Sequence, residues 1–178
     1  MGNQSPTFLL KVANALVEEV IQYTDAVLET AQQLQNREGF MDRIRGAFAA
    51  GSLIGQLNKN LTLAMKISDN AAQADPSIAL DDGTTPALVK ARALFQQGLI
   101  AMGHKSFKEA VKYFEESISY APDQATYFNI GLCFLQMKGL FRDRTQDAVV
   151  AFQKCIELDP ETQIAIDAGK ELARLGQL

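Results

Sequence analysis

Tryptophan is absent from this sequence of 178 residues, and histidine and cysteine are scarce, with one histidine, His104, and two cysteines, Cys133 and Cys155. A His/Cys metal site needs about four such ligands in close spacing, so a site of this kind is nearly excluded. The cysteines form no C-x-x-C pair, and we interpret them as buried thiols in a reducing compartment. No cofactor is predicted.

Long apolar runs and basic clusters are lacking as well. The most apolar stretch, residues 47–57, is about half as long as a membrane span and contains two glycines. The formal net charge of −4 is spread along the chain, whereas a nucleic-acid partner would need clustered lysine and arginine. The first residues turn acidic before any apolar run is long enough for a secretory signal. We therefore expect a soluble, cytoplasmic protein that binds no nucleic acid.

Catalytic motifs are missing too. No serine or cysteine has a plausible base nearby in sequence, and there is no glycine-rich phosphate loop. Adjacent carboxylates such as Glu18 and Glu19 point in different directions on a helix, so they form no acid–base pair. Gly51 and Gly55 fall within a helical pattern, and their spacing predicts tight packing against the N-terminal helix. We predict that the protein is not an enzyme.

Helical periodicity covers the chain, and no alternating strand pattern is present. Ser5 and Pro6 are typical of an N-cap followed by a first-turn proline, and the apolar pattern then runs to about Gln35. A second helical stretch extends over residues 41–74, with a break predicted at residues 58–60. The fold class is therefore all-α.

A turn-rich segment divides the chain. Asp75 and Pro76 are followed by the sequence SIALDDGTT, whose composition is typical of a loop, and Pro86 begins a new helix. We predict an N-terminal helical hairpin over residues 1–80 and a second domain over residues 86–178.

The strongest signal is the repetition of glycine, alanine, phenylalanine and proline in the same order, with the last three at fixed spacing. In two stretches an alanine precedes a phenylalanine by four residues, and the phenylalanine precedes a proline by eight. The marks of the first stretch are Gly98, Ala110, Phe114 and Pro122. The marks of the second stretch are Gly131, Ala148, Phe152 and Pro160. A further glycine, Gly169, lies nine residues after the last proline, as the second glycine lies nine residues after the first proline.

Each mark has a physical role in a pair of helices. Small residues let the two backbones approach where the helices cross. The phenylalanine fills the space between neighbouring pairs, and the proline prevents the second helix from continuing. These offsets resemble the tetratricopeptide repeat, whose usual pattern is W-x-x-L-G-x-x-Y, then A-x-x-x-F, then P.

The second stretch resembles this pattern well, with Tyr127, Ile130 and Phe134 at its aromatic, leucine and tyrosine positions. The first stretch is less complete, since Leu94 stands in place of the first aromatic residue. The resemblance extends over residues 86–178 and implies an α-solenoid of two helix–turn–helix repeats closed by a C-terminal capping helix.

An earlier, degenerate repeat within residues 41–76 is an alternative to a plain N-terminal hairpin. Ala64, Ala71 and Pro76 would be its marks, and Ser68 would replace the phenylalanine.

The turn of the second repeat is unusually long. The glycine-to-alanine step is five residues longer than in the first repeat, and the extra residues fall within residues 137–145. Either this loop folds back onto its own hairpin, or it contacts a partner. The candidate contact residues are Leu140, Phe141, Arg142 and Arg144.

The family's geometry implies that one side of each first helix lines a concave groove. On this sequence the groove residues are Arg92, Phe95, Gln96, Leu99, Met102, Phe128, Asn129, Leu132, Leu135, Ile166 and Lys170. Most of them are apolar, and such a strip is rarely left in water. Gln96 and Asn129 are the candidates for hydrogen bonds to the backbone of a bound segment.

Two occupants of the groove remain open. An apolar helix or peptide of another protein would make the chain a non-catalytic interaction module, a scaffold or adaptor. The chain's own N-terminal helix would instead fill the groove, with self-association into a homo-oligomer through that helix. A peripheral membrane-associated assembly role is a remote alternative, because Arg43 and Arg45 flank the apolar residues 44–57.

Overall fold

The computed structural model describes the backbone of residues 4–35, 40–137 and 144–176, and their side chains outside residues 25–50. Within these ranges every regular element is a helix, so the all-α fold class is confirmed. The helices are α1 (Pro6–Gln35), α2 (Phe40–Ala74), α3 (Pro86–Gly103), α4 (Phe107–Tyr120), α5 (Gln124–Gln136), α6 (Thr145–Leu158) and α7 (Gln163–Arg174).

The start of α1 follows from its first residues. The Ser5 hydroxyl accepts a hydrogen bond from the backbone N–H of Phe8 at 3.2 Å. Pro6 occupies the first helical position, where its missing N–H would have had no helical partner. The predicted N-cap is therefore confirmed.

The second helix is continuous, so the predicted break at residues 58–60 is wrong. Leu57 and Leu61 lie one turn apart on the buried side of α2 and flank the two asparagines. Asparagine has only a modest helix penalty, of about half a kcal/mol, and burial of the leucines outweighs it.

Side-chain oxygens cap the turns between α2 and α3. Asp75 Oδ1 accepts hydrogen bonds from the N–H and hydroxyl of Ser77, at 3.0 and 2.8 Å. Asp82 Oδ1 accepts from the N–H of Thr84 at 2.9 Å, and this bond lowers the pKa of the Asp82 carboxyl. Between them Gly83 has a φ of 82°, a conformation that glycine adopts without strain. The predicted loop is confirmed.

Contacts divide the chain into two compact units, Met1–Ile100 and Ala101–Leu178. The core of the first unit consists of Leu10, Ala13, Val17, Val20, Leu57, Leu61, Ala64, Ala71, Val89, Ala93 and Ile100. The last three belong to α3, so packing in this unit continues past the predicted boundary between residues 80 and 86. That residues 1–80 and 86–178 form separate domains stays a prediction.

The pair Gly51 and Gly55 does not mediate tight packing, contrary to the prediction. Both are exposed, and a Cβ atom added at either glycine would have no described atom within 4 Å. Ser68, also on α2, is buried and donates a hydrogen bond to the Pro86 carbonyl at 2.9 Å. A degenerate repeat in α2 stays a prediction.

In the second unit α4 packs on α5, α5 on α6 and α6 on α7, and α5 also contacts α7. The core at α6 and α7 consists of Ala148, Val149, Phe152, Cys155, Ala168 and Leu172. Helix starts are capped by side chains: Asp123 Oδ2 accepts from the N–H of Thr126 at 2.8 Å, and Thr162 Oγ1 from the N–H of Ala165 at 3.1 Å.

A single side chain, Gln124, joins three elements of this unit. Its Nε2 donates to the carbonyls of Cys155, at 2.8 Å, and Asp159, at 2.6 Å. Its Oε1 accepts from the hydroxyl of Thr162 at 2.8 Å. The start of α5 is therefore bonded to the end of α6 and to the N-cap of α7.

Candidate functional site

Gly131 on α5 lies directly against α6. A Cβ atom at this position would be 2.5 Å from Cε1 and 2.7 Å from Cζ of the fully buried Phe152. Only a residue without a side chain allows this approach, as the small-residue pattern predicts. The ring of Phe128 lies 5.6 Å from the Phe152 ring at an angle of 55°, so Phe128 of α5 packs against the same buried ring.

Three of the predicted groove residues form one stripe on α5. Phe128, Leu132 and Leu135 are half-buried and pack with one edge against the core of the second unit. Their spacing of four and three residues places them on the same side of the helix. Asn129, beside the stripe, donates its side-chain N–H to the Ala125 carbonyl at 2.8 Å.

The predicted groove residues of α7 are exposed. Ile166 is 49% exposed, a large fraction for an isoleucine, and Lys170 is exposed one turn further along. Lys170 Nζ lies 2.7 Å from Asp167 Oδ1, and this bond lowers the pKa of the Asp167 carboxyl. Ile166 therefore stands as an apolar side chain among charged neighbours.

On α3 the predicted groove residues have different surroundings. Phe95, Leu99 and Met102 are half-buried, while Gln96 is buried. Arg92 binds α1: its Nη2 lies 2.5 Å from Glu18 Oε1, and its Nη1 donates to Asn14 Oδ1 at 3.2 Å. The N-terminal helix therefore lies against the side of α3 that carries Arg92.

Family comparison agrees with the repeat spacing. A profile described as tetratricopeptide repeat matches residues 91–124, and a second profile of the same description matches residues 125–162. The chain contains two tetratricopeptide repeats. It matches no curated protein and no solved structure. Tetratricopeptide repeats are protein–protein interaction modules and are generally not catalytic. The capping role of α7, which follows the second repeat, stays a prediction.

Gln96 in the first tetratricopeptide repeat carries an unpaired oxygen. The residue is only 7% exposed, and among the described residues no donor reaches its Oε1. Gln97 is equally buried at 7% exposure, but it has no side-chain atom that is both buried and without a hydrogen-bond partner. A buried carbonyl oxygen without a donor destabilises a protein by about 1–3 kcal/mol.

Replacing Gln96 with methionine is expected to stabilise the protein by about 1 kcal/mol, because methionine has a similar shape and no oxygen to desolvate. Urea unfolding followed by circular dichroism measures the change. Gln97→Met is the matched control and should give no gain. A loss of stability in Gln96→Met larger than in Gln97→Met would show that the Gln96 oxygen is bonded after all.

Among the candidate contact residues, Leu140, Phe141 and Arg142 lie outside the described residues. Arg144 lies within the described residues, and its side chain contacts residues of the same repeat. Its Nη1 donates to Asp147 Oδ2 at 2.9 Å, and its guanidinium carbon lies 5.5 Å from the centre of the Phe134 ring. A partner contact by the loop stays a prediction.

A depression of about 1340 Å³ in the second unit was not predicted. It lies between the N-terminal half of α4, the C-terminal end of α5 and Arg144. The sequence holds one signal for it, because Lys108 and Lys112 lie four residues apart, on the same side of α4. We call this depression the α4–α5 pocket.

Neither cysteine is available for chemistry. Cys133 and Cys155 are free thiols with no exposed surface, and the prediction of buried thiols is confirmed. Burial raises the pKa of Cys133 to about 12 and that of Cys155 to about 11, because a thiolate would be poorly solvated there. Both thiols are therefore protonated and unreactive at neutral pH.

The described residues contain no group of three His, Cys, Asp or Glu side chains that could hold a metal ion. None of the described helices has the length and apolar character needed to cross a membrane. The side chains of Arg43 and Arg45 lie outside the described residues.

Proposed function

We propose that the second repeat and α7 bind an apolar helix or extended segment of another protein, and that the protein is a non-catalytic scaffold or adaptor. The observation that carries the proposal is Ile166, half-exposed on a helix that contacts α5. The family's geometry assigns Ile166 and the stripe of α5 to the same concave side.

The chemistry of this side favours an apolar ligand with polar edges. Phe128, Leu132 and Leu135 are only partly buried, and a helix that binds in a groove is recognised through apolar anchors with this spacing. Lys170 and Asp167 form a charged pair beside Ile166, as at the polar rim of a protein interface. The Asn129 amide is bonded within α5, which leaves side-chain packing as the main source of affinity.

Site-specific photo-crosslinking of the full chain tests the proposal. A photoreactive phenylalanine analogue at Ile166 is expected to capture a partner protein from an extract of cells that express this chain. The same analogue at Val150, which is 48% exposed on α6, is the matched control and should capture none. Equal capture from both positions would contradict the proposal.

Ile166→Glu is expected to weaken binding of the captured partner at least tenfold, or about 1.4 kcal/mol, since a carboxylate would be desolvated against apolar anchors. Val150→Glu should bind normally. Both side chains are exposed, so both variants should unfold within about 0.5 kcal/mol of the wild type. Phe128→Glu is a poorer choice, because Phe128 packs on Phe152. Unchanged partner affinity in Ile166→Glu would exclude α7 from the binding surface.

Self-association is the second candidate, and one observation favours it. Arg92, a predicted groove residue of α3, donates a hydrogen bond to Asn14 of α1 and forms an ion pair with Glu18 of α1, which supports a role of α1 at this surface. If a second copy supplied α1 in solution, crosslinks from Ile166 would join two identical chains. Sedimentation velocity of the wild type over a range of concentrations would then show a dimer.

A cytoplasmic location is also part of the proposal. Cys133 and Cys155 are unpaired and lie in the core, as is common in compartments that keep thiols reduced.

A further inference from the structure

The α4–α5 pocket is distinct from the predicted groove, since none of the groove residues lines it. Its walls come from the turn before α4, the first half of α4, the last turn of α5 and the start of α6. All of these belong to the second unit. The pocket is therefore a separate surface, and its role does not depend on the function proposed above.

The lining of the pocket is basic, although the whole chain has a net charge of −4. Four cations line it, against two carboxylates, Glu109 and Glu115. The cations are Lys105, Lys108, Lys112 and Arg144. A local excess of positive charge attracts an anionic group to this place, while the rest of an acidic surface repels the same group.

Three of these cations, Lys105, Lys108 and Lys112, are exposed. Within the described part of the chain, no carboxylate lies within 4.0 Å of their Nζ atoms. Lys154 and Lys170 of the same unit, in contrast, each bind a carboxylate three residues away. Glu109, the nearest acid in sequence, accepts instead from the Tyr113 hydroxyl at 3.4 Å.

The wall between the lysines is apolar. Phe107 and Val111 of α4 line the pocket together with Phe134 of α5 and Met137, the residue that follows α5. Phe107, Phe134 and Met137 are only half-buried, so their surfaces can receive another apolar group. Arg144, whose charge is paired with Asp147, is held beside the Phe134 ring and extends this wall.

We infer that the α4–α5 pocket binds an acidic segment of another protein that carries one aromatic or long aliphatic side chain. The apolar side chain packs against Phe107 and Phe134, and flanking carboxylates face Lys105, Lys108 and Lys112. Charge complementarity around an apolar wall supports this ligand, because the lysines attract the segment and burial of its apolar side chain stabilises the complex.

The two carboxylates in the lining distinguish this ligand from a polyanion. Glu109 and Glu115 stand among the lysines and would repel a continuous row of phosphates. Nucleic acid and anionic lipid surfaces, moreover, are bound by larger basic patches than three lysines. A peptide can place its carboxylates opposite the lysines and leave the glutamates facing water.

Fluorescence anisotropy with the full chain tests the inference. The probes are a set of short synthetic peptides of Asp, Glu and Ser, each with one central Phe, Tyr, Leu or Met. At least one probe should bind the wild type, and its affinity should fall as salt is added. The same peptide with Ser in place of the central residue should bind at least tenfold more weakly.

A double charge reversal, Lys108→Glu with Lys112→Glu, is expected to weaken the bound probe at least tenfold. The matched control, Lys11→Glu with Lys59→Glu, changes the net charge equally at two exposed lysines of the first unit and should leave affinity unchanged. Circular dichroism melting verifies that both variants fold. Equal weakening in the two variants would show attraction by net charge alone and would overturn the inference.

Three further results would overturn it. The first is failure of every peptide in the set to bind, and the second is tighter binding of the serine peptide than of its apolar counterparts. The third is occupation of the pocket by this protein itself, through its own loop or through a second copy. The last has two signatures. A Gly-Ser replacement of residues 138–143 that raises probe affinity tenfold would identify the chain's own loop as the occupant. Dimerisation of the wild type that is lost in the Lys108/Lys112 variant would identify a second copy.

Discussion

Replacing Gly131 with alanine is expected to destabilise the second unit by about 2 kcal/mol. The new Cβ would lie 2.5 to 2.8 Å from three carbon atoms of the Phe152 ring, well inside van der Waals contact. The ring has no exposed surface and is packed against Phe128, so it cannot move aside freely. Overpacking of a core costs about 1–3 kcal/mol, and the better helix propensity of alanine offsets up to about 1 kcal/mol of this.

Gly169→Ala is the matched control, and its effect should have the opposite sign. Gly169 also lies within a helix, α7, but a Cβ atom there would have no described atom within 4 Å. Alanine should therefore stabilise the protein by about 0.5–1 kcal/mol through helix propensity. Urea unfolding followed by circular dichroism measures both changes.

A double-mutant cycle with Phe152→Leu identifies the cause of the Gly131→Ala effect. Leucine lacks the ring carbons that meet the new Cβ, so Gly131→Ala should cost less in this background. Equal losses in both backgrounds would mean that the ring contact does not limit the residue at position 131.

The second large effect is expected from Val17→Asp, with a loss of about 3–5 kcal/mol. Val17 is fully buried on α1, within the core that α1 shares with α2 and α3. An aspartate at this position would be an unpaired charge in an apolar core. Ala15→Asp, at an exposed position on the same helix, is the control and should change stability by less than about 0.5 kcal/mol.

Limited proteolysis with trypsin gives a second measurement of the Val17→Asp effect. Lys90 and Arg92 on α3 are held by Asp69 and Glu18 in the folded protein, so cleavage there should be slow. Val17→Asp should accelerate cleavage at both sites, because Val89 and Ala93 belong to the same core. Unchanged stability and cleavage would show that α1 is a detachable arm.

Local signals in the sequence predicted the helix limits well. Ser5 with Pro6, and Thr85 with Pro86, act within one turn, and both helices begin where these residues place them. The break predicted in α2 failed because burial of Leu57 and Leu61 was decided by α1, far away in sequence. The glycine mark of the second repeat succeeded because it depends on packing inside one helix pair, where Gly131 meets Phe152.

The surfaces were harder to predict than the helices. The lysines of the α4–α5 pocket are visible on α4, but Phe134 and Arg144 come to the same place only because α5 packs on α4 and α6 on α5. Gln96 was predicted as a groove residue, whereas its burial and unpaired oxygen depend on tertiary packing. Groove membership itself rests on the family's geometry and stays a prediction.

The bonds of Gln124 restrict where the chain can change in length. An insertion between Cys155 and Thr162 would shift the two carbonyls and the hydroxyl that share this one amide, and at least one of the three bonds would be lost. The connection from the second repeat to α7 must therefore keep its length, because all three bonds meet at the start of α5.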